Sequence, residues 1–83
     1  MRVLYFAWLR EKVGLAEERL GPEVSADTPR ALIALLRARS PGHEAAFAEL
    51  ARIRCVVDET LCPLDAPLLD AREVAFFPPF TGG

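Results

Sequence analysis

Two apolar, strand-like segments at opposite ends of the sequence constrain the fold more than anything between them. In "RVLYFAWLR" (2–10), Val3, Tyr5 and Ala7 alternate with Leu4, Phe6 and Trp8. Both sets are apolar, so strong β formers at period-two spacing predict a strand covered on both faces, by a core on one side and by a further layer or a partner on the other. "EVAFF" (73–77) reads the same way, with Val74 and Phe76 on one face and Ala75 and Phe77 on the other. One strong helical pattern lies between these segments. Strands flanking one major helix predict an α+β fold, a sheet packed on that helix.

The intervening elements follow from local signals. Gly14 marks a turn, and "AEERL" (16–20) returns as a second strand, making an N-terminal hairpin. Thr28 is suited to cap a helix whose first position is Pro29, with Asp27 adding favourable charge at its start. Leu32, Leu35 and Leu36 form its predicted inner face, broadened by Ala31 and Ile33, while Arg30, Arg37 and Arg39 face solvent. Pro41 and Gly42 are expected to stop this helix, and "HEAAFAELA" (43–51) to form a short second one with Ala46, Phe47 and Leu50 inward. "RIRCVVD" (52–58) reads as a strand, Asp58-Glu59-Thr60 as a turn, and "LCPLDAPLLDA" (61–71), with two prolines, as short edge strand and loop. The expected architecture is a mixed sheet of four to five strands on one main helix. Residues 1–77 form the domain, and 78–83 an extended tail.

Composition removes whole classes of function. At 83 residues the chain is near the lower limit for a single unaided core, yet 52% of its residues are hydrophobic and only 27% charged, which excludes disorder. A net charge of −2 argues against a nucleic-acid binder. No apolar run approaches the roughly 18 residues of a membrane span, and no small-residue cleavage site follows the first apolar stretch, so the expected location is cytoplasmic. The lack of Asn and Gln, with nine Arg against one Lys, fits a heat-adapted source or a GC-rich genome. His43 is the only histidine, too few for a metal site with Cys55 and Cys62. Those cysteines read as small buried hydrophobes, with a disulfide between them as the alternative. Glu17 and Glu18 are adjacent and read as a solvated strand surface. His43 reads as a loop residue opening a helix. No side-chain constellation for catalysis is visible.

What remains is the main-chain carboxylate after "FFPPFTGG" (76–83). A carboxylate is a poor electrophile, and an acyl-adenylate is a good one. The pocket that makes it must close tightly round the last residues, which glycine permits because it has no Cβ and accepts any backbone angle. Pro78 and Pro79 stiffen the exit from the last strand, lowering the entropic cost of projecting the tail. Phe76, Phe77 and Phe80 can anchor a partner at its root.

"VLYFAWLRE" (3–11) and "EVAFFPPFTGG" (73–83), with the spacing between them, resemble the family of molybdopterin synthase small subunits, ubiquitin-like sulfur carriers with the β-grasp fold. Two positions depart from that pattern: Asp58 stands where Asn is common, and Ala71 lies in "LLDAREVAF" where the family reads Asp-Gly-Asp. A left-handed residue there would cost Ala about 1 kcal/mol, so a different turn is expected.

The resemblance implies that Gly83 is adenylated by a ubiquitin-activating-type enzyme using ATP. A donor such as a cysteine desulfurase or rhodanese then converts it to a thiocarboxylate. Thr81, Gly82 and Gly83 would insert into the synthase large subunit, with Phe76, Phe77, Pro78, Pro79 and Phe80 meeting that partner. There the sulfur would attack cyclic pyranopterin monophosphate, two transfers building the molybdopterin dithiolene, in a heterotetramer whose catalytic groups belong to the large subunit. It implies no bound cofactor, metal, nucleic acid or membrane. Delivery of sulfur to thiamine or tRNA, attachment to proteins, and a β-grasp binding module that is never activated are the competing readings.

Overall fold

A computed structural model describes residues 1–79. Its elements run β1 (Arg2–Tyr5), α1 (Ala7–Val13), β2 (Glu17–Arg19), α2 (Pro29–Arg37), α3 (Pro41–Ala46), a 3-10 turn (Leu50–Arg52), β3 (Arg54–Val57), β4 (Thr60–Cys62) and β5 (Glu73–Phe77). The five strands form one mixed sheet in the order β2-β1-β5-β3-β4. β5 runs parallel to β1, and the other pairings are antiparallel. This is the expected α+β architecture, with the C-terminal strand at the centre of the sheet.

The first segment departs from expectation. The strand ends at Tyr5, and Ala7, at φ 54°, turns the chain into α1. Leu9 is fully buried, and Val13, one turn on, packs beside it against the core. A short run that is apolar at every position satisfies helical spacing as well as strand alternation, so period alone cannot separate them. Trp8 therefore belongs to a helix, not to the sheet. Gly14 ends α1 at φ 87°, a left-handed angle that glycine adopts without Cβ strain, and its N–H donates to the Arg10 carbonyl.

α2 starts as the sequence predicts: Thr28 Oγ1 accepts from Ala31 N at 3.1 Å and Pro29 takes the first turn. Its inner face is Pro29, Leu32, Ile33 and Leu36, whereas Leu35, expected inside, is 44% exposed. The inner face is therefore shifted: Ile33 is buried as expected, while Leu35 and Ala31, both expected on it, are exposed. Pro41 and Gly42 do not merely stop α2, for they open α3, with Ser40 Oγ accepting from His43 N at 3.1 Å. A proline fits the first helical turn because its missing N–H would have no partner there. α3 ends at Ala46, so Phe47 leaves the helix fully buried and Leu50 packs on the core from the 3-10 turn.

β3 and β4 are joined through Asp58 (φ 45°) and Glu59 (φ 71°), the paired left-handed angles of a two-residue hairpin turn. Asp58 tolerates its angle because its carboxylate accepts from Arg72 N and Glu73 N, both at 3.0 Å, which also fastens the turn to β5. In the loop before β5 the left-handed residue is Leu69 (φ 47°), and Ala71 is not left-handed, in keeping with the different turn expected there.

The inward row of the sheet is Tyr5, Phe76 and Cys55, in register across β1, β5 and β3. Phe47 packs edge-on against Phe76 with ring centroids 5.1 Å apart and lies 6.1 Å from Tyr5. These aromatics join the sheet to α2 and α3.

Candidate functional site

β5 is flanked on both sides, so its backbone is held along its length. At its exit Phe76 O accepts from Phe6 N at 3.1 Å, and Phe77 stands in register with Arg54. Pro78 and Pro79 follow, and neither has an N–H to continue the ladder, so pairing stops and the chain must leave the sheet. Pro78 and Pro79 thus follow directly on the central strand of the sheet. Thr81, Gly82 and Gly83, expected to insert and react, and Phe80, expected to meet the partner, lie outside the described residues.

The outward face beside this exit is apolar. Leu4, Ala75, Val56 and Leu61 form one cross-strand row by register, and Leu61 is 67% exposed. Arg54, Val56, Leu61, Phe77 and Pro79 line a shallow depression of about 530 Å³ on it. At the other end of the face Arg2 pairs with Glu73 and, at 3.5 Å, with Glu17. Phe76, expected to meet a partner, is fully buried against Phe47 and is a core residue. Strand alternation gives the inward position to Phe76 and the outward one to Phe77, so only Phe77, Pro78 and Pro79 of the described tail root remain in the candidate face.

A carboxylate–histidine cluster does exist, although none is visible in the sequence. Glu18, expected on a solvated surface, turns inward. Its Oε2 accepts from Tyr5 Oη at 2.8 Å and meets His43 Nε2 at 2.7 Å, while Oε1 lies 3.1 Å from Arg39 Nε. Ser40 Oγ lies 2.7 Å from His43 Nδ1. Burial raises the Glu18 carboxyl, but the hydrogen bonds from His43 and Tyr5, with the charges of His43 and Arg39, outweigh it and hold the group below its usual range. Burial and the Glu18 contact raise the Tyr5 hydroxyl far above its usual value, so it stays a donor. His43 is only 5% exposed and lies within α3, not in a loop. The cluster ties edge strand β2 to the helical layer. Its one sequence signal is the two-residue spacing of Glu18 from the apolar Leu20 in "AEERL", which gives both the same side of an extended chain.

Cys55 is buried and Cys62 half-buried, both as free thiols. Burial, then the neighbouring Cys62, pushes the Cys55 thiol up to about 12, far from a reactive thiolate. Among the described residues no group of three or more His, Cys, Asp or Glu could hold a metal.

The model of the ThiS family matches residues 3–83. The chain belongs to that family. It is 42% identical over 85 residues to a molybdopterin synthase sulfur carrier subunit of Escherichia coli (strain K12), covering 100% of this chain and 99% of that protein. A protein of the same name from Haemophilus influenzae is 33% identical with the same coverage. Among solved structures, SAMP1 from Haloferax volcanii superposes with a TM-score of 0.75 at 25% identity, over 100% of this chain and 98% of that one. The fold of this ThiS-family chain is the ubiquitin-like β-grasp.

Proposed function

We propose that this chain is the sulfur carrier subunit of a molybdopterin synthase, with the Gly83 carboxylate as the reacting group. The observation that carries the reading is the exit of the tail from the central strand through Pro78 and Pro79, in a chain that aligns along its length with two carriers of that name. A carboxylate oxygen of Gly83 attacks the α-phosphorus of ATP and pyrophosphate leaves, on a ubiquitin-activating-type enzyme. The terminal sulfur of a persulfide on a desulfurase or rhodanese then attacks the acyl carbon and AMP leaves. A thiol cleaves the resulting acyl disulfide, releasing the thiocarboxylate while the thiol is oxidised to a disulfide with the donor's cysteine. The tail, Thr81 to Gly83, enters the large subunit, whose residues direct the sulfur onto cyclic pyranopterin monophosphate. Two loaded carriers supply the two sulfurs of the dithiolene. The domain's part is mechanical: β5 fixes the root, the prolines set the exit, and the outward row with Phe77 and Pro79 seats the domain on its partner. Dependence on ATP and a cofactor-building partner fits the cytoplasm, and no helix among the described residues is long and apolar enough to cross a membrane.

Carriers for thiamine or tRNA thiolation would use the same terminal chemistry, and both named relatives favour molybdopterin synthesis over them. The test is deletion of Gly83. Reconstituted with activating enzyme, ATP and sulfur donor, the unaltered chain should exchange one oxygen for sulfur by intact mass, while the shortened chain gains none and unfolds at the same temperature. Full loading of the shortened chain overturns the assignment of Gly83.

A further inference from the structure

The two-residue turn between β3 and β4 sets Val57 opposite Thr60, Val56 opposite Leu61 and Cys55 opposite Cys62. Alternation puts both cysteines on the inward side, and their sulfurs lie 4.0 Å apart. The Cys55 thiol also donates to the Cys62 carbonyl at 3.3 Å. Directly opposed residues of an antiparallel pair have Cα atoms about 4.5–5.5 Å apart, within the roughly 4.4–6.8 Å that a disulfide spans. Closure therefore needs side-chain rotation and no separation of the strands. Cys62 is half-buried on the edge strand, and Cys55 is fully buried behind it. A small oxidant reaches Cys62 first.

The geometry points to a reversible redox-modification site, in which Cys55 and Cys62 close to a cross-strand disulfide by exchange with a low-molecular-weight disulfide. The Cys62 sulfur, as thiolate, attacks one sulfur of glutathione disulfide, whose S–S bond breaks and releases one glutathione thiolate. With Cys62 uncharged in the mixed disulfide, its opposition to ionisation of Cys55 is gone. The Cys55 sulfur passes its proton to the departing glutathione as it attacks the Cys62 sulfur, and the mixed disulfide breaks with release of the second glutathione. Two protein thiols are oxidised, one small disulfide is reduced to two thiols, and the two protons pass to the departing glutathiones. Counting from Val57 and Thr60, the pair occupies a hydrogen-bonded position of the ladder, where Cβ atoms are farther apart than a relaxed disulfide prefers. The bond is accordingly strained and readily reduced, the property of a regulatory rather than a structural disulfide. It would pin β4, and Leu61 with it, to β3 opposite Phe76 of the tail-bearing strand.

The full folded chain is equilibrated with mixtures of reduced and oxidised glutathione, quenched with N-ethylmaleimide under denaturing conditions, and weighed intact. The expected product of oxidising mixtures is a species lighter by two hydrogens that takes up no maleimide, yields a peptide linking Cys55 to Cys62, and returns to two thiols in reduced glutathione. Cys55→Ser should instead accumulate glutathione on Cys62, and Cys62→Ser should leave Cys55 unmodified. The proposal is overturned if the folded, unaltered chain keeps two alkylatable thiols in the most oxidising mixture. It is equally overturned if the chain stops at glutathionylated Cys62, or forms the link only in denaturant.

Discussion

One oxygen of Glu18 receives both the Tyr5 hydroxyl and the His43 ring nitrogen, and the other oxygen faces Arg39. A carboxylate held this way binds its proton more weakly folded than unfolded. The sign follows from linkage: its contribution is fully present above the unfolded carboxylate value and is lost as pH falls through the lower folded one. Glu18→Gln keeps the shape and removes the charge, so it should cost about 1–3 kcal/mol at neutral pH, the scale of a charged buried hydrogen bond. Urea midpoints from pH 7 down to pH 3 should show the gap between the two chains narrowing only in the acid limb. A gap independent of pH would assign the loss to packing. Phe76 and Phe77 make the second residue-scale contrast, since neighbours in sequence serve the core and the outer face.

At the scale of elements, α1 and α3 approach closely at one glycine. A Cβ on Gly42 would stand 2.3 Å from the Lys12 carbonyl oxygen, which is backbone and cannot swing aside. In a helix, replacing Gly by Ala ordinarily gains up to about 1 kcal/mol. Here the sign reverses, because relieving the clash must separate two helices whose contact holds Leu9 and Ala46 in the core. Gly42→Ala is expected to destabilise the domain by about 1–3 kcal/mol, the usual cost of overpacking, read as a lower thermal midpoint. An unchanged or higher midpoint would show that the helices part freely. The same contact explains why α1 exists where alternation alone suggests more strand: Leu9 and Val13 gain burial against the helical layer that a strand would not offer them.

For the whole molecule, the strand order divides the labour between two faces. The inward row of Tyr5, Phe76 and Cys55 meets the helices, and the outward row of Leu4, Ala75, Val56 and Leu61 lies beside the tail exit. If the outward row seats the large subunit, Leu61→Asp and Phe77→Asp should each weaken association about tenfold or more, roughly 1.4 kcal/mol. Both should leave the thermal midpoint nearly unchanged. Phe76→Asp should unfold the domain instead, since it buries an unpaired charge. Calorimetric titration with the large subunit, beside melting curves, separates these outcomes. Binding unaffected by both outer substitutions would place the partner elsewhere.

Strand and helix chemistry was legible in the sequence wherever the signal is local. Thr28 and Pro29 fixed the start of α2, Asp58 and Glu59 the turn after β3 (Thr60, read with them, begins β4), and the alternation of "EVAFF" the last strand, because capping, turn geometry and pleat act over a few residues. The prolines before the diglycine likewise mark an end that cannot extend the sheet. The central place of β5, the inward turn of Glu18 onto His43, the facing of Cys55 by Cys62 and the burial of Phe76 instead of Phe77 depend on which distant segments meet. Glu18 and His43 stand 25 positions apart, and Arg2 and Glu73 stand 71 apart. No local preference encodes such partners. They are chosen by the one packing that buries the apolar faces of sheet and helices together while, among the described residues, leaving no buried side-chain nitrogen or oxygen without a partner.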